Sequence, residues 1–370
     1  MTNTDTGELR RLPLHDIHEA AGARFGAFAG WFMPLTYPAG VMKEHLHTRQ
    51  KAGLFDISHM KLFEVRGADA AAFLSKACPF DAQALPAGVS KYTLLLAEDA
   101  GILDDLIVTR LAPDRFMVVA NAGNAESDEA ELRRRASGFD ATVTPLERVF
   151  LALQGPAAEI VMKSVGIDLS DLVFMTGREL PSGWFVTRSG YTGEDGFEIA
   201  LPVEDAAGLV ERLLGDDAVE WIGLAARDSL RLEAGLCLHG QDIAPDTDPV
   251  EAGLLWAIPK SVRSDGAFVG ADGLRDRIAE GSGRKRVGLK PDGRQPVRAG
   301  TELFDEKGTP VGRVTSGGFG PSAGHPVAMG YVTRELASPG TRLLARVRGN
   351  SLPVDVVALP FMPHRYRKGA

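Results

Sequence analysis

The chain has 370 residues, and 41 basic against 49 acidic side chains give a formal net charge of −8. Hydrophobic residues at 44% and charged residues at 24% are ordinary globular composition, which excludes a disordered chain, and the acidic balance argues against nucleic-acid binding as the main task. No apolar run approaches the ~18 residues of a membrane span, and the length exceeds the roughly 250–300 residues at which one core stops growing, so two or three domains are expected. The opening MTNTDTGELRRL has neither the apolar core of a signal peptide nor the Arg/Ser-rich helix of a transit peptide, so a soluble, cytoplasmic protein is expected. Cys78 and Cys237 form no CxxC pair, and two buried free thiols fit a reducing compartment better than a disulfide.

In chain order, 15–30 (HDIHEAAGARFGAFAG) reads as a helix ending in glycines, and 40–52 as a helix capped by Gly53. KLFEVRG (61–67) alternates as a half-buried strand does, and 67–77 reads as helical. Residues 92–123 read as three strands separated by EDAG and LAPD turns, followed by a charged helix over 124–138. A strand at 148–155 precedes a helix at 156–166 with Pro156 in its first position. A hairpin over 184–202 and helices at 203–215 and 222–235 follow. This mixed order predicts α+β architecture with antiparallel sheets. Beyond a polar, glycine-rich boundary near 280–286 the helical period disappears. About six strand-like pieces with turn signals between them predict a small β-barrel or sandwich, dividing the chain into 1–285 and 286–370.

Three constellations stand out. Asp104 and Asp105 in AGILDDLIVTR point to opposite faces of a strand, so one of them must enter a cleft or find a partner. A carboxylate held near a cationic or amine-bearing substrate and a simple turn pair both remain open readings. In GYTGEDGFE (190–198), three glycines allow a backbone to approach a flat ligand, and Glu198 can accept two parallel N–H bonds from an amidine-like edge. From these residues alone, an acidic hairpin turn followed by an ordinary strand is the preferred reading. In LAARDSLRLEAG (224–235), Arg227 and Arg231 lie one helical turn apart, with Asp228 and Glu233 available as partners. They can fork onto a carboxylate or tie domains together. The lone His59 in FDISHM reads as a satisfied structural residue, and no metal-ligand spacing is found.

These segments together resemble one family, the aminomethyltransferase or T subunit of the glycine cleavage system. The resemblance runs through nearly the whole chain: AFAGWFMPLTY (27–37), HLHTRQKAGLFDISHM (45–60), GILDDLIVT (101–109), LALQGP (151–156), GYTGEDGFEI (190–199), GLAARDSLRLEAGLCLHGQDI (223–243), TPVGRVTSGG (309–318), VAMGYV (327–332) and MPHRY (362–366). It implies a three-domain clover leaf around a central folate site. It also implies transfer of the one-carbon unit from an aminomethyl group on the lipoyl arm of the H carrier protein to tetrahydrofolate. The products are 5,10-methylenetetrahydrofolate, ammonia and the dihydrolipoyl carrier.

By this resemblance Asp105 is the essential aspartate, beside an iminium cation and a folate nitrogen that sheds a proton. Treated as an exposed carboxylate with a pKa of about 4, it is expected to orient and stabilise charge before it acts as a base. Glu198 is the residue that holds the pterin edge. Tyr191, Arg227, Met60, Tyr92 and Asn121 line the folate pocket, and Tyr366 reaches it from the C-terminus. Arg365, Arg367 and Lys368 are expected near the lipoyl entrance, with no metal, nucleic acid or membrane involved. One departure is Ala100, where many relatives have glycine; if that turn needs φ > 0, alanine costs about 1 kcal/mol or more. The nearest rival families are other folate-dependent enzymes, such as dimethylsulfoniopropionate demethylases or the folate domains of dimethylglycine and sarcosine enzymes. A folate-binding protein of iron–sulfur assembly is a rival without catalysis, but its KGCYxGQ motif is absent, the stretch here reading EAGLCLHGQD.

Overall fold

The computed structural model describes residues 9–369, which fold into three sheet-built lobes around a central cavity. A six-stranded sheet runs in the order Thr176–Glu179, Phe185–Arg188, Gly196–Leu201, Val149–Gln154, Ala52–Asp56, Val219–Trp221. Its central strands Ala52–Asp56 and Val149–Gln154 are buried along their whole length, because helices and loops cover both faces. The chain leaves this sheet after Asp56, builds a second one, and returns at Val149 to pair Leu151 with Asp56. The inserted sheet has five strands in the order Ser90–Leu96, Ile102–Ala112, Arg115–Ala120, Lys61–Arg66, Thr142–Leu146. Helices Ala70–Ala77 and Ala125–Ala136 cover its inner face, burying Phe73, Leu74 and Leu132 against Leu106 and Val108.

The third lobe is a closed six-stranded antiparallel barrel. It runs from Arg284–Pro291 to Asn350–Val357 and is filled by small and branched side chains such as Val287, Val314, Ala328 and Val354. The architecture is therefore the expected α+β class with antiparallel sheets and a C-terminal barrel.

Local readings needed correction where glycine misled. The expected helix over 15–30 stops at Ala20, and Arg24–Phe28 instead pairs with Trp31–Thr36 as a hairpin. Ala29 (φ 49) and Gly30 (φ 79) form its tip, a pair of left-handed residues that no helix accommodates. The helix at 40–52 is Val41–Gln50 with Lys51 at its end, and Gly53 lies within a buried strand. Pro156 precedes the helix Ala158–Ser164 and does not open it. Helices Lys260–Asp265 and Ala271–Glu280 were not expected, and Leu274 and Phe268 bury against Leu94 and Ile102. Cys78 and Cys237 are both buried and free. No helix among the described residues is long and apolar enough to cross a membrane.

Candidate active site

The lobes enclose a cavity of about 1860 Å³. The inserted sheet contributes Tyr92 and Asp105 to its wall, with Met60 and Asn121 at the ends of neighbouring strands. Tyr191, Glu198 and Arg227 face it from the six-stranded sheet and the helix Leu224–Glu233, and Tyr366 from the C-terminal segment. All eight residues singled out from the sequence thus share one wall-to-wall space.

The turn before the aspartates sets their register. Ala100 has φ 69, so the turn does require a left-handed residue. Gly101 cannot carry a side chain, because a Cβ there would lie 2.2 Å from the Pro245 carbonyl oxygen. Alternation along Ile102–Ala112 then sends Asp104 and Asp105 to opposite faces. Asp104 is completely buried behind the sheet, whereas Asp105 is half-buried and faces the cavity.

Asp105 is held at both oxygens. The Tyr92 hydroxyl donates to Oδ2 at 3.0 Å, and the Asn121 amide donates to Oδ1 at 2.8 Å. Burial first, and then the neighbouring Asp104 carboxylate, push the Asp105 pKa up to about 6. This corrects the expectation of an ordinary exposed aspartate: its proton affinity suits proton transfer near neutral pH. The Tyr92 phenol is pushed far upward by burial and by Asp105, so it remains a donor.

Glu198 lies opposite, in the strand Gly196–Leu201. Ser189 donates to its Oε2 at 2.6 Å, and no protein donor among the described residues reaches Oε1. Burial raises its pKa, while Ser189 and Arg227 oppose the rise. The Arg227 guanidinium lies over the Tyr191 ring, 5.0 Å from its centroid, and its buried Nη1 has no acceptor. Tyr191 itself donates to the Cys237 carbonyl oxygen. A carboxylate with an unclaimed oxygen and a guanidinium with an unclaimed N–H are complementary to one planar ligand edge.

The neighbouring arginine has a different task. Arg231 donates to Asp242 at 2.6 Å and to Ser316 of the barrel at 2.8 Å, so it ties lobes together. Glu233, offered as a partner for both arginines, instead receives Arg49 at 3.1 Å and His45 at 3.0 Å. The glycines of 190–198 also serve packing more than ligand approach. A Cβ on Gly190 would meet the Gln154 amide at 1.9 Å, and one on Gly193 would meet Ala234 at 2.9 Å.

The C-terminal segment folds back over the body. Tyr366 stacks on Phe174, with 3.8 Å between centroids and 4° between planes, and both rings line the cavity. Arg367 pairs with Glu159, and Arg365 lies 3.4 Å from Glu194. Two of the three basic residues expected at a lipoyl entrance therefore bind the segment to the body.

Sequence reading misjudged one wall residue, His59, and passed over another, Trp256. His59 lines the cavity, and its buried Nδ1 has no partner, so it is not the satisfied histidine expected. Burial and the nearby Arg227 push its pKa down to about 3, leaving a neutral imidazole. Trp256 is exposed at the rim and stacks on Tyr92, with centroids 5.3 Å apart. Neither carries a sequence signal, since their meaning comes from neighbours distant in the chain. The one group with metal-ligand spacing among the described residues is His15, Asp16 and Glu19, outside the cavity wall.

Comparison with known proteins points to one family. Residues 14–261 match the family model described as the GCVT N-terminal domain, and residues 284–362 match the glycine cleavage T-protein C-terminal barrel domain. The mitochondrial aminomethyltransferase of Gallus gallus is 44% identical, over 97% of this chain and 94% of that protein. The Homo sapiens protein of the same name is 42% identical, over 97% of this chain and 91% of its own length. The crystal structure of glycine cleavage system aminomethyltransferase T from Bartonella henselae superposes with a TM-score of 0.96 at 60% identity, covering 98% of this chain and 100% of that one.

Proposed function

The chain belongs to the T-protein family, the aminomethyltransferases of the glycine cleavage system, and we propose that its cavity binds tetrahydrofolate beside the aminomethylated lipoyl arm of the H carrier protein. The activity is the family's: a one-carbon unit leaves the aminomethyl group for tetrahydrofolate, giving 5,10-methylenetetrahydrofolate, ammonia and dihydrolipoyl carrier. Bound folate supplies the nucleophilic nitrogens.

The space fits two ligands. Its 1860 Å³ exceeds the roughly 300–1,000 Å³ of a pocket for one small molecule. Glu198 holds the pterin edge, its unclaimed Oε1 and its Ser189-bound Oε2 accepting parallel N–H bonds. Arg227 compensates the buried carboxylate, and Tyr191 and Tyr366 offer aromatic faces. Met60 adds apolar surface to the same wall.

Asp105 performs the proton and charge work. With a pKa of about 6 it is mostly ionised at pH 7, so its anion stabilises the cationic carbon–nitrogen centre of the transfer. The same raised affinity lets it take the proton that the attacking nitrogen sheds. Tyr92 and Asn121 fix both oxygens before the ligands arrive, so little reorganisation remains. In this reading the body, 1–285, carries the folate site and the barrel, 286–370, closes it. Two buried free thiols suit a cytoplasmic setting.

The observation that carries this reading is the shared space of a doubly clamped Asp105 and a Glu198 with an unclaimed oxygen. Calorimetric titration with tetrahydrofolate tests it. Glu198→Gln should raise the Kd about 10- to 100-fold, the loss of a charge-assisted bond; an unchanged Kd would place the pterin elsewhere.

A further inference from the structure

Behind the cavity wall is a second carboxylate system that the reaction itself does not touch. Asp104 is completely buried, and three donors converge on it: the Asn121 amide N–H at 3.1 Å, the Asn121 side chain at 2.8 Å and the Asn124 side chain at 3.0 Å. That is the coordination an ionised carboxylate needs in the interior. Asp128, from the helix Ala125–Ala136, is also buried, and its Oδ2 has no partner. Two adjacent buried carboxylates with three donors on one and none on that oxygen of the other divide naturally into an anion and an acid. Asp128 keeps the proton, and burial and Asp104 hold its pKa well above the carboxylate range.

The buried anion is coupled to the cavity through one side chain. The Asn121 side-chain nitrogen gives one hydrogen to Asp104 and the other to Asp105, both at 2.8 Å. His239 closes the cluster: its Nε2–H donates to the Ile102 carbonyl at 3.1 Å, and its Nδ1 accepts from Asn124 at 2.8 Å.

We propose that Asp104 is a positioning residue which, held behind the wall by Asn121 and Asn124, sets the proton affinity and orientation of Asp105 through the Asn121 amide that the two carboxylates share. This rests on the reading of Asp105 as the group that accepts the proton. The titratable groups facing Asp105 are Asp104 on its own strand, Tyr92 from the adjacent strand, Asp128 from the helix behind, and Tyr191, Cys237 and His239 from the loops opposite. Tyr92, Tyr191 and Cys237 are pushed upward by burial and stay neutral in the working range. Asp104 is therefore the charge that raises Asp105.

The test is the pH dependence of kcat in three variants of the full chain. Asp104→Asn should move the acidic limb of wild type, expected near pH 6, about one unit or more toward acid and lower the plateau, because a less basic Asp105 is a weaker acceptor. Asp128→Asn, which keeps a neutral donor beside Asp104, should leave the limb in place. Asp105→Asn should abolish it; a limb that survives this change contradicts the role given to Asp105. If Asp105→Asn abolishes the limb but Asp104→Asn does not move it, only the present proposal fails. Carbon-13 NMR of aspartate-labelled wild type gives a second readout that does not depend on turnover. The signal missing in Asp105→Asn should titrate near pH 6 in wild type, and a midpoint near pH 4 would overturn the proposal.

Discussion

Ala100 holds a left-handed conformation, φ 69, and its methyl group is fully buried beside Leu94 and Ile102. Glycine there would relieve about 1–2 kcal/mol of strain. It would also lose a buried methyl worth about 0.8 kcal/mol and bring about 0.4–1 kcal/mol of extra unfolded-state entropy. The terms nearly cancel, which explains how alanine persists in this turn. Ala100→Gly should therefore leave the calorimetric Tm within about 2 °C of wild type. Ala100→Val, β-branched at positive φ in a filled core, should lower it by several degrees, costing roughly 1–3 kcal/mol from overpacking alone. A large gain from glycine would show that the methyl contributes nothing. At this scale the eight cavity-lining residues were legible because their motifs are contiguous, whereas Asp105's raised proton affinity was not. It depends on burial and on the Asp104 charge, with the Tyr92 and Asn121 bonds opposing the rise, a balance that a linear reading cannot reach.

The C-terminal segment shows what an element adds. Phe361 and Met362 donate their backbone N–H groups to the Glu233 carbonyl, and Arg365 donates its own to Gly193. Arg367 accepts from the Phe174 N–H at 2.7 Å, which sets Tyr366 flat on Phe174 at the cavity wall. A stacked pair contributes about 0.5–1.5 kcal/mol beyond area burial. Tyr366→Ala should therefore raise the Kd for tetrahydrofolate roughly 3- to 10-fold, and Tyr366→Phe should stay close to wild type. Equal losses in both variants would mean that the hydroxyl, not the ring, matters. Arg365 and Arg367, expected at the lipoyl entrance, also anchor the tail through Glu194 and Glu159. The strands flanking Asp105 were visible through alternation and turn signals. The hairpin Arg24–Phe28 with Trp31–Thr36 was not, because its small residues and glycines mimic a frayed helix.

Across the whole molecule, one buried knot joins the body to the barrel. Glu233 accepts from Arg49, His45 and the backbone N–H groups of Ser322 and Ala323. Burial alone would raise its pKa, but the bonds from His45 and Ala323 and the charge of Arg49 hold it at about 2. A carboxylate depressed below its unfolded value of about 4.3 contributes stability that is complete above that pH and lost as pH falls through the folded value. Glu233→Ala should cost about 1–3 kcal/mol at pH 7, because it leaves the buried Arg49, His45, Ser322 and Ala323 donors short of an acceptor while Arg49 keeps Glu194. It should also flatten the fall of the urea midpoint between about pH 4.3 and 2; a slope equal to wild type would deny the knot this role. The three-lobed plan was legible from the order of elements and the family resemblance, but the knot was not, since it joins positions 45, 49, 233 and 322.

The central claim, that these lobes bring a folate edge on Glu198 and an aminomethyl donor to the clamped Asp105, is tested most directly by turnover. Purified protein given tetrahydrofolate and aminomethylated carrier should release ammonia and form 5,10-methylenetetrahydrofolate in equal amounts, at a rate that rises through about pH 6. Asp105→Asn should lower kcat about 10²- to 10⁴-fold with tetrahydrofolate affinity near wild type. No ammonia from an active carrier, or an Asp105→Asn variant that loses folate affinity as severely as turnover, would contradict it.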